Sequence, residues 1–347
     1  MKPVLFVTNH VPPERVGAFA ALARRTPLEL AIFGGRSTHA TASVADPGVP
    51  HRHVRQRDVA ALAGSGRYGA VVCGTAGRLA LPAAALGARS ARVPFVLWSA
   101  LWAHPRTPAH VVGGAPLLAA LYRSADAVVA YGPHVAAFAR ARGARNVHIA
   151  PQAVDNAFWG AAVDVERAAP FTAVFLGRPS REKGALLLLE AWHSSGLGAS
   201  AAALVLVGAG TGSARNPAGG AVAVVGTQPP EQVRNFLAGA DVCVIPSLRT
   251  RSFREPWGLV ANEAMNQSTP VIATEEVGAA AGGLVRHERN GLIVPAGDPG
   301  ALAAALRRLH DDPDLRARLG ANARRDVAPY TFDAWAGGVA AALASVP

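Results

Sequence analysis

Residues 171–193 read FTAVFLGRPSREKGALLLLEAWH, and this stretch decides the fold. Its first six side chains make a short apolar run that stops at Gly177, the signature of a buried strand. A turn rich in glycine, proline and charge follows. From Gly184 the pattern becomes that of a helix, with the leucine run Leu186 to Leu189 and then Trp192. A continuous apolar strand leading into a helix indicates a parallel sheet covered on both faces.

The same unit recurs in both directions. On the C-terminal side, strands are expected at 203–207, 222–225, 242–246, 270–273 and 292–294, with helices at 231–238, 256–266 and 299–311. On the N-terminal side, strands are expected at 4–8, 28–33, 70–73, 95–98, 127–130 and 146–150, with helices such as 17–25 and 133–142. The fold class is therefore α/β, with two Rossmann-like, doubly wound parallel-sheet domains and a cleft between them. A chain of 347 residues with 50% hydrophobic content suits two cores better than one. The division is placed at 1–163 and 164–330, in the mixed-charge, proline-ended segment 156–170. A last helix over 331–347 can pack back on the N-terminal domain.

Composition narrows the partners. The net charge of +11 is carried almost wholly by arginine, since Lys2 and Lys183 are the only lysines. The arginines look scattered, and no basic stripe interleaved with aromatics suggests a nucleic acid. Peripheral contact with a membrane surface stays open, although no basic amphipathic helix stands out. Cys73 and Cys243 lie in apolar runs with no disulfide or zinc spacing. No apolar run reaches the ~20 residues that span a bilayer, and the first apolar stretch is too short for a signal peptide. A cytoplasmic location is expected.

Three motifs carry chemistry. In LGRPSREKG (176–184), a tight turn enters a helix, and backbone N–H groups there favour an anion. Arg178 and Lys183 add two cations suited to a diphosphate, although a solvated basic turn reads equally well. VGAGTG (207–212) lacks the third glycine of a dinucleotide fingerprint. In REPWGLVANEAM (254–265), Glu255 precedes Pro256, a favoured first helical residue, and Glu263 lies eight residues on. On one helix the two carboxylates would be ~12 Å apart. Such a pair could accept hydrogen bonds from the two ends of a nucleotide sugar. A capping glutamate with a second on the surface is the plainer alternative.

The ordered motifs GRPSREKG, LVLVGAGTG, ADVCVIPS, EPWGLVANEAM, TPVIAT and NGLIVPAGD resemble the GT4 retaining glycosyltransferases of the GT-B fold, over residues 170–310. The resemblance implies transfer of a sugar from a nucleoside-diphosphate sugar, UDP- or GDP-linked, to an acceptor hydroxyl of a glycan, lipid or secondary metabolite. It implies that Glu255 contacts the sugar and Glu263 the ribose. Arg178 and Lys183 would hold the diphosphate, with backbone N–H groups from Gly258 and Leu259, and Gly226 and Thr227 would lie near the base. No cofactor and no metal are expected. The sequence reads EAMNQS where relatives often have EAMACG. In the N-terminal half, Arg15 and Gly17 occupy the loop expected to close over the donor. Ser99 or His104 fills the family's catalytic histidine position, and His39 sits in a polar loop. Two other classes stay open: a sugar-nucleotide epimerase or phosphorylase-like enzyme, and a nicotinamide-dependent oxidoreductase built on VGAGTG.

Overall fold

The structure is a computed structural model that describes residues 2–34, 46–77, 79–208 and 221–347. The chain forms two compact units, Met1–Asp155 with Tyr330–Pro347 and Asn156–Pro329. Both are built on wholly parallel sheets, as the apolar strand pattern predicts.

The first unit contains strands β1 (Val4–Thr8), β2 (Leu28–Ile32), β3 (His51–His53), β4 (Ala70–Gly74), β5 (Phe95–Ser99), β6 (Ala127–Ala130) and β7 (Val147–Ile149). They lie in the order β3-β2-β1-β4-β5-β6-β7. Helices α1 (Pro13–Ala23), α2 (Val59–Ala63), α3 (Ala80–Ala91), α4 (Ala115–Ser124) and α5 (Pro133–Arg140) connect them. The all-buried patterns of β1, β4 and β5 follow from their lack of polar alternation.

The second unit opens with α6 (Asn156–Trp159). It continues through β8 (Phe171–Leu176), α7 (Ala185–Ser195), β9 (Ala202–Val207), β10 (Ala221–Val225), α8 (Pro230–Ala238) and β11 (Val242–Ile245). It ends with α9 (Val260–Asn266), β12 (Val271–Thr274), α10 (Gly278–Ala281), β13 (Gly291–Val294), α11 (Pro299–Asp311) and α12 (Pro313–Val327). The order is β10-β9-β8-β11-β12-β13. Leu188 and Trp192 of α7 pack with Leu302 and Leu306 of α11 over β8 and β9, all essentially inaccessible. Each such side chain contributes about 1.5–3 kcal/mol of burial.

The chain then returns to the first unit as α13 (Phe332–Ala344). Trp335 of this helix is fully buried among Phe6, Phe19 and Trp98. One boundary differs from the sequence division at 163. The segment from Asn156 belongs to the second unit because Asn266 Nδ2 donates to Asn156 Oδ1 at 2.9 Å.

Each sheet has one point where its connections reverse direction, between β1 and β4 and between β8 and β11. In open parallel sheets, ligands bind beyond the carboxyl ends of the strands at such points.

Candidate functional site

At the reversal point of the second sheet, the loops leaving β8 and β11 are locked together. A Cβ on Gly184 would lie 1.9 Å from the Pro246 carbonyl oxygen, so the two backbones are in contact. The Leu248 N–H donates to the Glu182 carbonyl at 2.8 Å. Across this seam Lys183 Nζ donates to Glu255 Oε2 at 2.5 Å, and the Ser247 hydroxyl reaches the same oxygen at 3.2 Å. The Ser247 carbonyl accepts from the Thr274 hydroxyl at 2.6 Å, and the Lys183 ammonium stands 5.8 Å from the Phe253 ring centroid. Glu255 is only 6% exposed. A carboxylate so buried requires partners, and these supply them.

The backbone that carries Glu255 is extended, not helical. Glu255 forms a parallel bridge with Val277, and its carbonyl accepts from Gly278 N–H at 3.1 Å. Ala279 N–H donates to the Trp257 carbonyl at 2.7 Å. A helix from Pro256 was expected, but α9 begins only at Val260 because Gly258 takes φ +87°. The spacing of ~12 Å along one helix axis therefore does not apply. A bend separates the two glutamates instead, pinned by Trp257 Nε1–H donating to Asn262 Oδ1 at 2.7 Å. Glu263 lies half-buried in the first turn of the seven-residue α9. Burial, then the Glu263 charge, pushes the Cys243 thiol upward, so the carboxylate sits close to β11.

The crossing behind Glu255 has no room for a side chain at Gly278. A Cβ there would lie 2.0 Å from the Pro256 carbonyl oxygen, which is backbone and cannot swing away. Gly278→Ala is expected to cost about 3 kcal/mol or more. Denaturant melts that match wild type would contradict this.

Arg178 sits half-buried in the turn after β8. Burial raises the Glu182 carboxyl, but its own backbone N–H, the Ser180 hydroxyl and the Arg178 and Lys183 charges together hold it below the usual range. Both cations are thus within electrostatic reach of one carboxylate. Gly226 and Thr227 follow β10 at the same end of the sheet, where Gly208 N–H donates to the Val225 carbonyl at 2.8 Å. The structure brings Arg178, Lys183, Glu255, Gly258 and Leu259 to the β8 and β11 loops, with Gly226 and Thr227 two strands away. Residues 209–212 of VGAGTG, and His39, lie outside the described residues. Sequence reasoning missed Ser247, Phe253 and the ion pair between Arg254 and Glu276. The one signal for Ser247 was its place at the end of an apolar strand.

The first unit places its candidates differently. Arg15 and Gly17 lie inside α1, not in a loop. The Arg15 guanidinium is buried between Trp98 and Tyr131 and bonds Gln152, while a Cβ on Gly17 would strike the Phe332 ring. Both are explained by packing. Ser99 is fully buried, with its hydroxyl 2.6 Å from the Tyr122 hydroxyl, so it is closed off from any substrate. His104 Nε2 accepts from Arg142 Nε at 2.8 Å, and Nδ1 meets His110 Nε2 at 2.9 Å. This network fixes a neutral ring with the proton on Nδ1.

Burial, then the Arg142 and His110 charges, hold His104 below the ordinary histidine value. A lowered folded value means the stability is complete above pH ~6.5 and is lost as pH falls through the folded value. Between pH ~7.5 and ~5 the wild type should lose more melting temperature than His104→Gln. Equal losses would contradict the buried neutral ring.

A family model described as glycosyl transferases group 1 matches residues 163–326. A D-inositol 3-phosphate glycosyltransferase of Streptomyces avermitilis is 40% identical over 116 residues, which are 32% of this chain and 23% of that protein. One from Corynebacterium kroppenstedtii is 38% identical over 108 residues, 30% of this chain and 22% of that protein. The matched stretch thus spans about a quarter of these relatives. Among solved structures, Anabaena HepE in complex with UDP superposes with TM-score 0.77 at 18% identity, covering 99% of this chain and 100% of that one. Sucrose-phosphate synthase from Thermosynechococcus elongatus superposes with TM-score 0.70 at 20% identity, covering 98% of each. At these identities the likeness concerns the GT-B fold alone.

Proposed function

We propose, from the match of residues 163–326 to the glycosyl transferases group 1 model, that the chain is a glycosyltransferase of that group and moves a sugar from a nucleoside-diphosphate sugar to an acceptor hydroxyl. The observation that carries the reading is the contact of Lys183 with Glu255 at the reversal point between β8 and β11. A cation for a diphosphate and a carboxylate for a polyol stand side by side there. The UDP in the HepE complex makes a uridine donor the first to try.

In the proposed reaction the bond from the anomeric carbon to the donor phosphate oxygen breaks. A bond to the acceptor oxygen forms on the same face, so configuration is retained. The acceptor proton passes to an oxygen of the leaving diphosphate. Arg178 and Lys183 stabilise the charge developing on that group, and no metal is needed. Glu255 accepts from sugar hydroxyls and Glu263 from the ribose diol. Gly258 and Leu259 offer backbone N–H groups, and Gly226 with Thr227 borders the base.

A thermal-shift panel of UDP-, GDP- and dTDP-sugars tests the class. The right donor at a hundredfold excess over its Kd should stabilise by about 2.7 kcal/mol. Transfer should continue in EDTA. Stabilisation by NAD(H) and by no nucleotide sugar would overturn the reading. Glu263→Ala should weaken nucleotide binding by about tenfold, as one charge-assisted hydrogen bond requires. Titration calorimetry with the nucleoside diphosphate alone measures it.

A further inference from the structure

From the apolar helix α4 and the exposed arginines around it, we infer that the α3–α4 face of the first unit docks on an anionic phospholipid bilayer. Residues 59–154 carry nine arginines and a single acidic residue, Asp126. Most of the chain's net positive charge is therefore concentrated in the segment that builds α2 to α5, against the scattered distribution read from the sequence. These helices share one core on one side of the sheet. Of their arginines, Arg89, Arg92, Arg106, Arg123, Arg140 and Arg145 are exposed, and among the described residues none of them makes an ion pair.

Between Arg106 and Arg123 there is no acidic or basic residue other than His110. The segment runs through a π-helical turn, His110–Gly114, into α4. Its inner side, Leu118, Leu121 and Tyr122, is buried on the sheet. Its outer side is apolar as well. Val111 is 61% exposed, Val112 81% and Leu117 44%. A helix apolar on every side lacks the polar face that water requires. Leu79 and Leu86 of the α3 region are also exposed.

Cations flank this surface. A pocket of about 300 Å³ near the end of α4 is lined by Leu86, Arg89, Arg92, Ser124 and Asp126. Asp126 is already engaged, since its Oδ2 accepts from Phe95 N–H at 2.7 Å. The Arg123 side chain packs across Gly143, which places the turn with Arg140 and Arg145 beside the end of α4. An apolar helix inserted at the acyl boundary, with arginines at headgroup level, is how such surfaces hold anionic lipid. The exposed apolar side chains Val111, Val112 and Leu117 stand among exposed arginines with Asp126 the one acidic residue of residues 59–154, a charge balance that complements anionic headgroups.

Co-sedimentation of the full chain at about 0.1 M salt tests this. Vesicles of mixed phosphatidylcholine and phosphatidylglycerol should bind the protein, and vesicles of pure phosphatidylcholine should bind it far less. Arg89→Gln and Arg92→Gln should each weaken binding by about five-fold. Val112→Asp with Leu117→Asp should weaken it by about tenfold or more, with unchanged melting temperature because both positions are exposed. The nucleotide-induced thermal shift should persist in every variant, so this test and that of the transfer reading fail independently. The inference is overturned if wild type does not sediment with the mixed vesicles, or if the aspartate variants bind like wild type. It is also overturned if the chain dimerises through this face, dissociates on Val112→Asp and ignores vesicles.

Discussion

Glu255→Gln is expected to lower turnover by about a hundredfold or more while leaving affinity for the bare nucleoside diphosphate within about threefold. The amide keeps the shape of the side chain and one acceptor oxygen. It removes the charge that Lys183 and Ser247 address at 2.5 and 3.2 Å. The bridge of Glu255 to Val277 is made by backbone and survives the change. Lys183 is 24% exposed at its side chain, so it can be solvated when its partner becomes neutral. Turnover is followed with the donor from the thermal-shift panel, and binding by calorimetry. Wild-type turnover would remove Glu255 from the site.

Lys183→Ala should have a different signature. The donor affinity should fall by about 10- to 100-fold, because in the proposed complex the ammonium offers its remaining donors to the diphosphate at the seam between the two loops. Stability should fall too. The Glu255 side chain is only 7% exposed and would keep the Ser247 hydroxyl but lose its counter-ion. Breaking a pair this buried costs about 1–3 kcal/mol when one partner retains some solvent. The double variant Lys183→Ala with Glu255→Gln should recover part of that loss, since no buried charge is then left alone. A single variant that melts and binds like wild type would contradict the coupling.

Most strands were legible because they are short, largely apolar runs, and β8, β11 and β12 are buried as such runs must be. The edge strand β3, His-Arg-His and largely exposed, carries no such signal and was not expected. The turn LGRPSREKG was legible because glycine, proline and charge interrupt that pattern. Elsewhere the local sequence misled. Pro256 looks like a first helical residue, yet Glu255 beside it pairs with Val277, well down the chain, and Gly258 turns the backbone left-handed before α9 starts. Gly17 looks like a loop glycine until Phe332 is brought against it by α13. Ser99 ends a strand as expected, but the buried Tyr122 hydroxyl takes its oxygen, and burial pushes that tyrosine up to about 12. In each case the deciding contact is far away in sequence, where periodicity carries no information.

The separate roles proposed for the two glutamates are tested in one calorimetric comparison. Wild type, Glu255→Gln and Glu263→Ala are titrated with the nucleoside diphosphate and with its sugar donor. The account predicts that Glu263→Ala weakens both ligands alike, while Glu255→Gln weakens only the donor, by removing the contribution of the sugar. If Glu255→Gln weakened the bare diphosphate as much as the donor, or Glu263→Ala weakened neither, the assignment of sugar to one carboxylate and ribose to the other would be contradicted.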